Sequence, residues 1–120
     1  MILVIDDEPG ITELLRDILE YRGHPVIVAN DAQTAMDLIP LRRPEVILLD
    51  LMMPCVDGLS LALALRHISY ATDIPLIAMS GSSSALALAN RTGDFDAYIA
   101  KPFESDAIVN TVERLLKVAT

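Results

Sequence analysis

The chain has 120 residues, 52% hydrophobic and 22% charged, with one cysteine and no tryptophan, a composition that suits one globular domain and argues against fibrous, disulfide-framed and disordered classes. Nine basic against seventeen acidic residues give a formal charge of -8, which repels a phosphate backbone and argues against direct binding of nucleic acid. Cys55 has no partner for an internal bridge, no apolar run is long enough to span a bilayer, and Asp6-Asp7-Glu8 cuts the opening aliphatic run short without the features of a signal peptide; the chain is expected in the cytoplasm.

Ile2 to Ile5 is a continuous aliphatic run, the pattern of a strand buried on both faces. Ile11, Leu14, Leu15, Ile18 and Leu19 then form one apolar stripe at helical spacing, with Pro9 suited to the first turn and Gly23 to the stop. A second strand is predicted over Val26 to Ala29. Asn30 with Gln33 resembles a capping box for a second helix that carries Ala32, Ala35, Met36 and Ile39. A third strand covers Val46 to Leu49. Leucines alternate from Leu59 to Leu65, yet the leucine and alanine content and the lack of β-branched residues predict a helix beginning after Gly58. Ile74 to Met79 reads as a fourth strand, Ser82 to Thr92 as a fourth helix and Ala97 to Ala100 as a fifth strand. The last helix starts near Glu104 or Ser105 and carries Ile108, Val112, Leu115 and Leu116 on one face. Strand and helix alternating throughout imply a parallel sheet with helices on both faces and right-handed crossovers. Ligands of such sheets sit beyond the carboxyl ends of the strands.

Polar residues stand at those ends: Asp6-Asp7 after the first strand, Asp50 after the third, Ser80 after the fourth and Lys101 after the fifth. Three converging carboxylates repel one another unless a cation neutralises them, and oxygen donors without clustered His or Cys favour a hard divalent ion such as Mg²⁺. Lys101 cannot be a metal ligand but is suited to hold an anion. Carboxylate, metal, hydroxyl and ammonium together make a set for phosphoryl transfer onto a carboxylate, one Asp attacking while Ser and Lys hold the remaining oxygens. Plainer readings exist for each: Asp6-Asp7 as a helix cap and dipole partner, Asp50 as the start of a turn, Ser80-Gly81 as a loop, Lys101-Pro102 as a solvated end. Complementary groups at four strand ends favour the chemistry, and caps would not require the lysine.

Ile2 through Glu8, Asp50-Leu-Met-Met-Pro54 with Asp57-Gly58, the Ser80 strand end, and Gly93 through Tyr98 to Lys101-Pro102-Phe103 resemble the receiver domain of bacterial two-component response regulators, in order and over essentially the whole chain. The resemblance implies a doubly wound, flavodoxin-like (βα)5 fold, with a five-stranded parallel sheet of order 2-1-3-4-5, filling residues 1–120 with no output domain. It implies that Asp50 accepts a phosphoryl group from a histidine kinase or histidine phosphotransfer protein. Asp7 would bind Mg²⁺ directly and Asp6 through water, with Asp50 and the backbone carbonyl of Met52 completing the protein ligands. Lys101 would pair with phosphoryl oxygens, Ser80 would move to hydrogen-bond one of them, and Tyr98 matches the switch aromatic that turns inward when the hydroxyl moves. Pro102 matches a proline whose preceding peptide bond is usually cis in this family. The chain departs from the pattern at Ser80, more often threonine, at Gly81, usually alanine, and at Met52, where other members carry polar side chains that act on an attacking water. A thioether orients no water, so slow self-dephosphorylation is expected.

The fourth helix holds a single charged residue, Arg91, so some of Leu86, Leu88 and its alanines are expected at the surface. The side formed by the fourth helix, fifth strand and fifth helix is expected to switch on phosphorylation and to carry a homodimer or effector contact, with neither nucleic acid nor membrane bound by this domain. The reading is a signalling domain that assists its own phosphorylation and dephosphorylation, not a turnover enzyme. One alternative is a receiver that signals without phosphorylation. Another is an aspartyl-phosphate phosphatase of the haloacid-dehalogenase kind, against which stands Met52 in place of a second aspartate. A flavodoxin-like nucleotide or flavin binder would need Gly, Ser or Thr amides where this chain has Asp6-Asp7-Glu8-Pro9.

Overall fold

The computed structural model describes residues 1–54 and 56–119, with side chains described up to Leu116 except that of Val56; Cys55 lies outside the described residues. Strand β1 (Ile2–Ile5) is followed by α1 (Pro9–Tyr21), β2 (Val26–Ala29), α2 (Ala32–Arg42) and β3 (Val46–Asp50). A short antiparallel pair, β4 (Met52–Met53) and β5 (Val56–Asp57), precedes α3 (Gly58–Arg66). Then come β6 (Leu76–Ser80), α4 (Ser83–Thr92), β7 (Ala97–Ala100) and α5 (Ser105–Ala119). The longer strands form one parallel sheet in the order β2-β1-β3-β6-β7. This is the expected 2-1-3-4-5 winding, with β6 and β7 as the fourth and fifth strands of the main sheet.

Helices cover both faces, so each strand serves two cores with alternate side chains. Leu3, Ile5, Ile47, Leu49, Leu76 and Ala78 pack with Ala35, Ile39, Leu61, Leu65 and Ala89 of α2, α3 and α4. Ile2, Val4, Leu48, Ile77, Met79 and Ile99 pack with Leu15 and Leu19 of α1 and with Ile108, Val112 and Leu115 of α5. Every residue of β1, β3 and β6 is buried, which is why these segments read as unbroken aliphatic runs. Burial of each large aliphatic side chain stabilises the fold by about 1.5–3 kcal/mol. Pro9 opens α1, where its missing N–H needs no partner, and Gly23, at φ 86°, turns the chain towards β2.

Three local expectations are corrected. The fourth strand of the sheet begins at Leu76 rather than Ile74 and runs through Ser80. Pro75 has no N–H for the ladder, and the Ile74 N–H closes a turn onto Ala71 O at 3.1 Å. The cap of α2 is Asp31, not Asn30: Asp31 Oδ1 accepts the Thr34 N–H at 2.7 Å, and Gln33 reaches Asp37 instead of closing a capping box. Gly58 is the first residue of α3 rather than the residue before it, because Asp57 caps the helix by accepting the Leu59 N–H at 2.9 Å. At the opposite end of the sheet Arg66 donates to the carbonyls of Asp94, Thr72 and Ile74 and to the Asp96 carboxylate, all at 2.6–2.9 Å. That fork ties the end of α3 to the segments entering β6 and β7.

Candidate functional site

The sheet register brings the polar strand ends to one edge. Ile5 pairs with Leu49, so Asp6 comes level with Asp50; Asp50 pairs with Met79 and Ser80 with Ala100, so Ser80 and Lys101 each follow one step along the edge. The apolar runs stop at this edge, and Asp6, Asp50 and Ser80, the first polar residues after three of them, are all buried there.

Asp6 is completely buried. Its Oδ1 accepts the Glu8 N–H at 3.0 Å and its Oδ2 accepts a bond from Lys101 Nζ at 2.8 Å. Asp50, also buried, accepts the Met52 N–H on Oδ1 at 3.1 Å, and its Oδ2 lies 3.5 Å from the same Lys101 Nζ. One ammonium thus stands between two buried carboxylates. Burial, and then the charge of Asp6, push the Asp50 carboxyl above the usual carboxylate range, although the Met52 N–H and Lys101 pull the other way. Burial alone would lower Lys101, but its hydrogen bond to Asp6 and the charges of Asp6 and Asp50 outweigh it and raise the ammonium above its ordinary value. Ser80 is fully buried; its Oγ accepts the Ser82 N–H at 3.0 Å and its carbonyl accepts the Lys101 N–H at 2.9 Å. A Cβ on Gly81 would come no nearer than 3.9 Å to Lys101 O, so the loop has room for alanine at this position.

Asp6, Asp7 and Glu8 each present a carboxylate oxygen within 4.8 Å of the others, grading from buried to half-buried to exposed. Asp50 stands outside this grouping and is linked to Asp6 through Lys101. The donors of the cluster are all oxygen, and carboxylates carrying one or two hydrogen bonds keep lone pairs free, so the chemistry of Asp6, Asp7 and Glu8 fits a hard divalent ion such as Mg²⁺. Glu8 was not expected among the clustered acids; within a run of three acids the sequence carries no signal separating it from its neighbours. Asn30, whose sequence context suggests a helix cap, instead donates its side-chain amide to the Asp6 carbonyl at 2.8 Å.

Tyr98 is half-buried on β7, its ring 6.3 Å from that of Phe95 at 55°. Burial, then the charge of Asp96, push its phenol above the ordinary value. The Lys101–Pro102 peptide bond is cis. On α4 only Ala89 is buried, Leu86 is half-buried and Leu88 is 51% exposed, as its shortage of charged residues led one to expect.

A family model described as the response regulator receiver domain matches residues 2–113. Response regulator MprA of Mycolicibacterium vanbaalenii is 35% identical over 99% of this chain and 51% of that protein, and MprA of Mycobacterium avium is 34% identical over 97% and 50%. The chain therefore spans about half the length of the curated relatives it matches. Among solved structures, the receiver domain of NtrX from Brucella abortus aligns with a TM-score of 0.88 at 32% identity, covering 98% of each chain. The Francisella response regulator 1452 receiver domain aligns with a TM-score of 0.88 at 32% identity, over 99% of this chain and 98% of that one.

Proposed function

We propose, from the premise that this chain belongs to the response regulator receiver domain family, that it is the phosphoacceptor receiver of a two-component system, with Asp50 as the residue that is phosphorylated. The observation that carries this reading is the Lys101 ammonium between Asp6 Oδ2 at 2.8 Å and Asp50 Oδ2 at 3.5 Å, at the carboxyl edge of a parallel sheet. Asp6, Asp7, Asp50 and the Met52 carbonyl would hold Mg²⁺, which when bound offsets the negative charge of the transferring phosphoryl oxygens. The Asp50 carboxylate attacks phosphorus as the bond to the imidazole nitrogen of a histidine kinase or phosphotransfer protein breaks, leaving an aspartyl phosphate and a histidine. Lys101 follows the charge, exchanging part of its pairing with Asp50 for a phosphoryl oxygen. The Ser80 hydroxyl donates to a second oxygen, and Tyr98 moves towards the space this opens. The face made by α4, β7 and α5 then changes shape and carries the contact to a second copy or an effector.

The domain signals and assists its own phosphorylation and dephosphorylation; it is not a turnover enzyme. A phosphatase of the haloacid-dehalogenase kind would need a second aspartate at the place of Met52. No helix among the described residues is long and apolar enough to cross a membrane, and we place the domain's activity in the cytoplasm. The test is incubation with Mg²⁺ and a small acyl phosphate, followed by intact-mass measurement. The expected result is the mass of one added phosphoryl group, lost in Asp50→Asn. No added mass, or an addition that persists in Asp50→Asn, would overturn the reading.

A further inference from the structure

We propose that Asn30 is a positioning residue for the metal-binding acids, holding the backbone that carries Asp6 and Asp7 through its side-chain amide. The inference rests on the reading of Asp6 and Asp7 as Mg²⁺ ligands and adds to it a residue from the loop after the neighbouring strand. Asn30 directly follows β2, and Asp31 takes the cap of α2, so the Asn30 side chain is free of the role its sequence context suggests. Its Nδ2 donates to the Asp6 carbonyl at 2.8 Å and lies 3.4 Å from Thr12 Oγ1. Thr12 is buried in α1 and its hydroxyl donates to Pro9 O at 3.0 Å. The Asp6 N–H meanwhile bonds Ala29 O at 3.1 Å. Both backbone groups of Asp6 are therefore held from the end of β2, and the same amide reaches the first turn of α1 on the far side of Asp7 and Glu8.

The Asp6 carbonyl belongs to the peptide that joins Asp6 to Asp7, so its direction sets where the Asp7 carboxylate stands. Three adjacent carboxylates repel one another, and a ligand loop under that load loses affinity if it is not held before the ion arrives. A neutral amide supplies the restraint without adding charge to the site. The rest of Asn30 is exposed, so its side chain contributes little to the core, and a change there can be read at the site.

The experiment is calorimetric titration of the unphosphorylated chain with Mg²⁺, well below its melting transition, alongside Tm without Mg²⁺. Asn30→Leu keeps the approximate shape of the side chain and removes the donor; it should stay folded and bind Mg²⁺ about tenfold more weakly, the lower end for partners that orient metal ligands. Asn30→Ser is the second variant should the leucine disturb folding, and it is expected to weaken binding in the same direction. Wild-type Mg²⁺ affinity in either folded variant, including one whose Tm has fallen, would make the amide a structural brace and overturn the inference while leaving the Mg²⁺ reading intact. A wild-type chain that binds no Mg²⁺ would overturn both.

Discussion

Asp50 sits where its own charge is unwelcome: burial and the neighbouring Asp6 raise its carboxyl above the usual range. A carboxyl raised on folding favours the folded state while protonated, below its unfolded value near 3.8, and that contribution is lost as pH rises through the folded value. At neutral pH the ionised group therefore costs stability, and Asp50→Asn is expected to raise the Mg²⁺-free Tm, by a gain on the order of 1 kcal/mol. The gain should shrink as the pH falls and narrow when Mg²⁺ is added, since an ion that binds only the folded chain stabilises the wild type by mass action; thermal melts at several pH values check all of this. Met52, two residues beyond Asp50 and 63% exposed, carries a thioether that can orient no water towards a phosphorylated Asp50. Decay of the aspartyl phosphate in purified protein is expected to be slow, because a side chain that assisted the water would contribute roughly 10²–10⁴-fold, and intact mass against time measures it. At this scale the sequence disclosed the acids and the lysine because each follows an aliphatic run directly. It did not disclose Asn30, whose partner is the backbone carbonyl of Asp6, just past another strand, and has no side-chain signature.

Among the elements, α3 depends on Gly58 for its approach to the strand that carries Asp50. A Cβ there would lie 2.7 Å from Leu51 Cα and 3.1 Å from Asp50 O, both backbone atoms that cannot turn aside. Gly58→Ala is expected to cost about 1–3 kcal/mol, read by urea denaturation, and to slow phosphorylation of Asp50, because either the helix or the Asp50–Leu51 backbone must shift. The cap of α2 makes a pH-dependent prediction. The Thr34 backbone N–H holds the Asp31 carboxyl below its ordinary 3.8, so its contribution to stability is present above that value and is lost as pH falls through the folded one. Asp31→Ala should lower Tm at neutral pH, with the difference from wild type closing in acid, whereas Asp31→Asn should keep the cap throughout. The strand and helix sequence was readable because the strands are buried on both faces, α1 and α5 carry one apolar stripe, and α3 is rich in leucine and alanine without β-branched residues. What was not readable lay at boundaries: Asn30 and Asp31 are both good caps, and only the fold decides between them. The pair β4 and β5 is too short for any periodicity to announce it.

For the whole molecule, the two cores leave the helices unequally buried. Helix α4 lends the core little beyond Ala89 and Leu86 and presents Leu88 to solvent, so of the surfaces that could respond to the site it is the one with least to lose on moving. Sedimentation with and without a phosphoryl mimic is expected to show self-association in the phosphorylated state; a monomer in both states would rule out the homodimer. The order of strands, and hence the meeting of residues as far apart as Asp6 and Lys101, was accessible through the handedness of crossovers and the likeness to a known family, and no local pattern contains it. That meeting also provides a chemical probe. Only an unprotonated amine attacks an acylating reagent, and Asp6 and Asp50 raise the ammonium of Lys101, one of two lysines in the chain, above its ordinary value, which disfavours loss of its proton. The rate at which Lys101 takes up acetyl from solution therefore serves as a clock for the cleft: slow while the carboxylates hold the ammonium, faster once either is neutralised without a new anion in its place. In a chain with no tryptophan, one peptide in a digest would report the electrostatic state of the site without an introduced label.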